Sequence, residues 1–250
     1  MKKKLIVGLI LVTCLLVPVS CAKAPPAPAP APSTMPEDIV ESYLDASNND
    51  DIDTCLSLLS GDVVFYQDPP GIRMEGKAQF EAMSKEHMLW HHRDTVTSPI
   101  NVDGDKVACS IKAAGDDLRI IGINYMNAMV EFRVRDGKIY SIQSTPTNED
   151  WARLIELTSG GIGIEREIVA QGWKVKRFAE NSPAHEAGVR QGDIIIAVDK
   201  VSYSQMRKGE MLLRIKGSVG SKVLLTIIRE GMTDPIDIEV TRVDLNQLRY

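Results

Sequence analysis

Residues 180–199, ENSPAHEAGVRQGDIIIAVD, decide how the C-terminal third of this chain is read. Ser182-Pro183 opens a one-turn helix, with proline in the first-turn position, where its missing N–H costs little. Gly188 ends that helix, Gly192-Asp193 turns the chain, and the apolar run Ile194 to Val198 reads as a buried strand. Upstream, GGIGIEREIV (160–169) is followed by the strand candidate WKVKRF (173–178). Glycine-rich runs of this kind let main-chain N–H groups converge on an anion. A nucleotide fold needs a strand before the glycines and a helix beginning within them. Here the strand-like IEREIV follows instead, so the phosphate reading is set aside. Downstream, MRKGEMLLRIKG (206–217) supplies a helix with Met211, Leu212 and Ile215 on one side and Gly217 as its stop. VLLTIIREG (223–231) and IDIEVTRV (236–243) are two more strands.

The GIGI loop, SPAHEAGVRQGDIIIAVD, the helix ending in IKG, and GSKVLLTIIREG resemble a PDZ domain of the bacterial type found in carboxyl-terminal processing and HtrA proteases. The resemblance implies that Ile162, Gly163 and Ile164 are a carboxylate loop whose N–H groups receive a peptide C-terminus. The strand after them would pair with the peptide by β-augmentation. Leu212 and Ile215, with Met211, would wall the pocket for the last side chain. His185 is expected at the surface.

Working outward from this module, residues 37–47 (EDIVESYLDAS) place Ile39, Val40, Tyr43 and Leu44 on one helical face. IDTCLSLLS predicts a second short helix ending at Gly61, and VVFYQ a strand broken by Pro69-Pro70-Gly71. KAQFEAMSKEHMLW sets Phe80, Met83, His87 and Trp90 on one stripe. The period then changes to two. Val107, Cys109, Ile111 and Ala113 alternate with smaller or polar neighbours, as do Ala128, Val130, Phe132 and Val134. Asp136-Gly137 is a hairpin turn with KIYSIQS returning. Thr147 caps a last helix that turns Trp151, Leu154 and Ile155 inward.

This order of elements, the FRVRDGKIYSI hairpin (132–142) and the passage DVVFYQDPPGIRMEGKAQFEAM (62–83) resemble the SnoaL-like group of the nuclear transport factor 2-like superfamily. The implied fold is a curved antiparallel sheet wrapped by helices into a cone. The superfamily includes polyketide cyclases and ketosteroid isomerases, which use Asp, His or Tyr inside the cone for proton transfer, and members without known chemistry. Tyr66, His87, His91 and Tyr125 are the candidate pocket residues here. Asp68, His92, Asp94 and Glu131 are further groups of suitable chemistry, although Glu131 faces away from the apolar stripe. A carboxylate or imidazole with a shifted pKa could act as a general base, but no motif singles one out, and no catalytic residue is assigned. His87 and His91 are four apart, a spacing that can grip zinc. With no third ligand and no HExxH motif, neither a metal nor a cofactor is expected.

At the N-terminus, Lys2, Lys3 and Lys4 precede an apolar run from Leu5 to Val19, interrupted by Thr13. The run is short for a spanning helix and fits a secretory signal. Ser20-Cys21 then leads into a Pro/Ala tether, an arrangement that resembles a bacterial lipoprotein signal with Cys21 as the lipidated residue; Pro18 stands where an aliphatic residue is usual. Lipidation, ordinary secretion and an uncleaved anchor all place the remainder outside the cytoplasm. APPAPAPAPS (24–33) is a semi-rigid spacer, because its prolines remove backbone donors.

Without residues 1–20 the chain has 26 basic and 34 acidic residues, a net charge of −8. Residues 34–159 carry 11 basic and 22 acidic residues and residues 160–250 carry 14 and 12, an asymmetry that suggests two domains. Neither half has the basic excess of a nucleic-acid binder. Cys55 and Cys109 are open to two readings, a disulfide outside the cell or two separate buried thiols.

The expected architecture is α+β: signal peptide 1–20, tether 21–34, SnoaL-like cone 35–158, and a β-barrel-like PDZ domain with two helices at 159–246. The expected role is a membrane-tethered binding protein for peptide C-termini or exposed segments. Its cone would take a small apolar ligand or a partner, with a homodimer left open. The alternatives are an isomerase, cyclase or hydrolase using the cone, and an adaptor delivering clients to a separate protease. No Ser/Lys or Ser/His/Asp arrangement recognisable by motif marks the chain as a protease.

Overall fold

The computed structural model describes residues 35–250. The signal peptide, Cys21 and the tether lie outside the described residues.

The first part runs α1 (Pro36–Asn48), α2 (Ile52–Leu58), β1 (Leu59–Gln67), β2 (Ile72–Glu75), α3 (Gly76–Leu89), β3 (Arg93–Val96), β4 (Asn101–Asp103), β5 (Lys106–Ala114), α4 (Asp116–Ile120), β6 (Met126–Arg135), β7 (Lys138–Pro146) and α5 (Asn148–Thr158). One sheet has the order β2-β1-β7-β6-β5-β3, with β4 also paired to β5. Only the β1–β7 pair is parallel. The β6–β7 hairpin turns on Asp136 and Gly137, both at positive φ (52° and 70°), as a tight hairpin requires. Alternation sends Val107, Cys109, Val130, Phe132 and Val134 into a core with Ile39, Val40, Tyr43 and Phe80. Glu131 goes to the opposite face, paired with Lys106 and Arg133.

Two local expectations change, and short elements are added. The second helix ends at Leu58 and the strand begins at Leu59, before Gly61. β3, β4 and α4 are too short and mixed in polarity to show a period. On α5, Ile155 is exposed, while Trp151 and Leu154 are half-buried. Cys55 and Cys109 are separate buried thiols, not a disulfide. Burial is the main reason both are hard to ionise, with the Cys55 thiol pushed up to about 11.

The second part runs β8 (Gly160–Gly161), β9 (Ile164–Val169), β10 (Gly172–Phe178), α6 (Pro183–Glu186), β11 (Ile194–Val198), β12 (Val201–Ser202), α7 (Glu210–Ile215), β13 (Lys222–Ile228), β14 (Ile236–Thr241) and β15 (Val243–Asp244). Its main sheet has the order β14-β13-β11-β10-β9 with β12 beside β11, and β15 pairs with β8 separately. The core contains Ile162, Trp173, Val175, Ile195, Met211, Ile215, Leu225 and Ile227, none of which belongs to the first core. Asp193, 1% exposed, fixes the turn before β11 through Arg229, whose Nε and Nη2 each donate at 2.8 Å. Arg242 holds the end of α7, donating to the carbonyls of Ile215 (2.7 Å) and Arg214 (2.8 Å). Between the two parts, Arg207 Nη1 reaches Asp116 Oδ2 at 2.6 Å, and its guanidinium lies 5.5 Å from the Trp90 ring centre.

Candidate functional site

The cone encloses a cavity of about 440 Å³. Tyr43, Leu44, Phe65, Phe132, Ile142 and Leu154 supply much of its apolar wall, and Gln67, His87, His92 and Asp94 bring polar groups to it. α3 positions His87, the turn after it positions His92, and β3 positions Asp94. The His87 and His92 rings stack, with centres 4.7 Å apart and planes 9° from parallel. His92 Nε2 lies 2.9 Å from Asp117 Oδ1. A Cβ on Gly115 would fall 2.5 Å from that oxygen and 2.7 Å from the imidazole nitrogen, so glycine leaves room for the pair. A second hollow of about 650 Å³ shares Met74, Met83, His87 and His92 with the cavity. The histidine pair therefore borders both.

The electrostatics follow from the apolar wall. Burial first, and then the neighbouring His92 charge, push the His87 imidazole down to about 4, partly opposed by Asp117. His87 is therefore neutral at pH 7. Burial raises the Asp94 carboxyl, against a smaller opposing effect of His92. The Asp94 backbone is clamped, its N–H donating to Asn48 Oδ1 at 2.7 Å and its carbonyl accepting from Asn48 Nδ2 at 2.8 Å. Its carboxyl is in no ion pair among the described residues. A neutral imidazole and a carboxyl that resists ionisation can exchange protons with a ligand or hydrogen-bond its polar group.

Of the four candidate pocket residues, His87 lines this cavity and three do not. Tyr66 lies between Phe65 and Gln67 on β1, so alternation turns it to the other face. His91, at φ 50°, points its Nδ1 to Asp116 Oδ2 at 2.7 Å and is exposed. Tyr125 is 43% exposed, with Lys112 over its ring. Gln67 and Asp117 went unnoticed in the sequence. Strand alternation from buried Val63 was the signal for Gln67; Asp117 carries none, because α4 is a single short element. Among the described residues, no group of three or more His, Cys, Asp or Glu could hold a metal ion.

In the second part, Gly163 adopts φ +70°, and the carbonyl of Ile162 is tied down by Ser182 Oγ (3.0 Å) and Ala184 N–H (3.2 Å). The N–H groups of Ile162 and Gly163, both in buried residues, make no hydrogen bond among the described residues. β9, which follows, is the last strand of its sheet and largely exposed. Ile164 is 9% exposed. Met211 (2%) and Ile215 (4%) belong to the core, and Leu212 is half-buried against it. His185 is exposed, tilted against Phe178.

Residues 40–142 match the family model of the SnoaL-like domain, and residues 160–240 match that of the PDZ domain. The chain is 35% identical over 83 residues to a carboxy-terminal-processing protease of Bartonella bacilliformis, covering 33% of this chain and 19% of that protein. It is 30% identical over 99 residues to a carboxyl-terminal-processing protease of Synechocystis, covering 38% and 23%. The chain thus spans about a fifth of the length of these curated relatives. Among solved structures, an NTF2-like protein of unknown function from Cytophaga hutchinsonii aligns at 12% identity and TM-score 0.40, covering 48% of this chain and 96% of that one. An LEH-like epoxide hydrolase from M. tuberculosis aligns at 21% identity and TM-score 0.40, covering 47% and 86%. The chain carries a SnoaL-like domain followed by a PDZ domain.

Proposed function

We propose that this is a membrane-tethered, extracytoplasmic binding protein. Its PDZ domain receives the free C-terminus of a peptide, and its cone holds a small, largely apolar ligand. The observation that carries the reading is the pair of N–H groups on Ile162 and Gly163 that have no partner among the described residues, at the head of an open sheet edge. Buried main-chain donors normally find a partner, and a terminal carboxylate supplies one. Likeness to proteins named as carboxy-terminal-processing proteases fits a module that works at protein C-termini. Tethering rests on the sequence around Cys21; Cys21→Ser should release the protein from membranes or leave it unprocessed. The peptide reading is tested by fluorescence polarisation of free-ended peptides against the same peptides amidated. Amidation should weaken binding about tenfold to a hundredfold, the worth of a charge-assisted hydrogen bond. Equal affinity of both forms would end the carboxylate role.

One observation favours a second reading, acid–base catalysis in the cone. The cavity brings the neutral His87 imidazole and the Asp94 carboxyl, raised by burial, to an apolar wall. A general base poised in this way could move a proton next to a carbonyl. Deuterium exchange at such carbons in a panel of cyclic ketones, abolished by both His87→Gln and Asp94→Asn, would support it. Unchanged exchange in either variant would count against it.

A further inference from the structure

The open edge of β9 has a definite register. Val175 sits opposite Arg166, and its N–H donates to Asp193 O while its carbonyl accepts from Gly192 N. Both main-chain groups of Val175 therefore face β11, away from β9. In an antiparallel pair, residues opposite one another point their main-chain groups either both inward or both outward. Arg166 thus offers its N–H and carbonyl to the open edge. The same holds for Ile164, because its neighbour Gly163 accepts inward from Ala179 N–H at 2.9 Å. Tyr250 Oη confirms the direction by donating to the Ile164 carbonyl at 3.1 Å. By period two, Ile168 is the third outward residue.

These three side chains share the core-side face of the sheet. Ile164 is buried, Ile168 is 68% exposed, and the Arg166 guanidinium lies 3.8 Å from the centre of the Trp173 ring. Stacking on the indole fixes where that cation sits. On the opposite face, Glu165 is paired with Arg177 and Glu167 with Lys176 (3.3 Å). Arg166 is in no ion pair among the described residues, so the edge presents one uncompensated positive charge between two neutralised acids.

We infer that this edge selects free-ended peptides with an acidic residue two positions before an apolar C-terminal residue. The inference rests on the carboxylate reading of Ile162 and Gly163. A peptide whose terminus meets that loop and whose body runs antiparallel along β9 sets its last residue opposite Ile164. The residue two before it then lies opposite Arg166, and the residue four before it opposite Ile168. Directly opposed side chains on one face are about 5 Å apart, within reach of an Arg–carboxylate pair. The entering strand displaces the Tyr250 hydroxyl from the Ile164 carbonyl.

The test uses the full chain and labelled octapeptides ending Glu-Ala-Val, Gln-Ala-Val or Lys-Ala-Val, each free-ended and amidated. The Glu peptide should bind about tenfold tighter than the Lys peptide, and added salt should shrink the difference. Arg166→Glu should reverse the order, and Lys176→Ala should preserve it. Equal affinity for the Glu and Lys peptides, or an order unchanged by Arg166→Glu, overturns the inference. If free ends still outbind amidated ones in that case, the carboxylate reading stands without it. Binding of no peptide removes both.

Discussion

The cone and the PDZ domain draw the polarity of their candidate sites from different parts of the residue. In the cone it belongs to side chains, His87 and Asp94, held on separate elements around a cavity. In the PDZ domain it belongs to the main chain, the N–H groups of Ile162 and Gly163 and the open edge of β9. A main-chain site depends on local backbone shape and tolerates side-chain change. A side-chain site depends on long-range packing that brings distant residues together. The two regions should therefore fail in different ways.

The largest test of that separation is a core truncation. Phe132 is 1% exposed in the first core and touches none of the second. Phe132→Ala should destabilise the cone by about 3–5 kcal/mol while leaving peptide affinity intact. Urea denaturation followed by Trp fluorescence reads the cone through Trp90 and Trp151 once Trp173 of the PDZ core is replaced by phenylalanine, and peptide polarisation on the chain that keeps Trp173 reads the PDZ domain. Loss of peptide binding where only the cone has unfolded would show that the two regions stand or fall together.

Titration gives the next effect. His87 stays neutral in the fold down to about pH 4 but protonates near 6.5 when unfolded. Between those values the unfolded chain binds more protons. Stability from this group is complete above pH 6.5 and is lost as pH falls toward 4, by on the order of 3 kcal/mol. Asp94 acts in the opposite sense: its raised pKa favours the fold below its unfolded value and loses that benefit as pH rises through its folded one. In His87→Gln, urea midpoints between pH 4 and 7 should show a flatter slope than in the parent protein. Identical slopes would mean that His87 is not held neutral in the cavity.

A smaller effect isolates the main-chain site. At φ +70° Gly163 is in a region that β-branched residues avoid, and a Cβ there would lie 3.0 Å from Ser182 Oγ. Gly163→Val should cost a free-ended peptide about 1.5–3 kcal/mol, the worth of a charge-assisted hydrogen bond, and should leave the cone's pH slope unaltered. The exposed control Lys222→Ala should change neither. Undiminished peptide binding in Gly163→Val would move the site away from the loop.

The same contrast explains what could be read in advance. The loop at 160–164 and the one-turn helix and turn at 182–193 are each short local signals, so GGIGI and SPAHEAGVRQGD carried the resemblance to a PDZ domain, which residues 160–240 match. The cone's fold was legible because period two and the Asp136-Gly137 turn are also local signals. Its cavity was not. Tyr66 and Gln67 are adjacent, and alternation along β1 tells which faces inward only once Val63 is known to be buried. His91 and His92 are adjacent as well, and the positive φ of His91 sends one to Asp116 and leaves the other at the cavity. Met211 and Ile215 read correctly as one helix face, but the periodicity of a helix does not say whether that face meets a ligand or the core.

The smallest predicted effect lies where the two regions touch. Arg207 precedes α7, and Asp116 opens α4, next to the residue that meets His92. Hydrogen bonds from His91, then Arg119, hold the Asp116 carboxyl well below the usual carboxylate range, with Arg207 adding to them. Removing Arg207 therefore leaves Asp116 with two partners and no orphaned charge. The Arg207 and Asp116 side chains are 34% and 21% exposed, so solvent screens their attraction. A double-mutant cycle with Arg207→Gln and Asp116→Asn, measured by urea denaturation, should give a coupling of about 0.5–1 kcal/mol. Neither substitution should alter peptide affinity more than about twofold, since an exposed pair within that range shifts the loop little. A coupling several times larger, or a clear change in affinity, would make this bridge a route by which the cavity and the peptide edge sense one another.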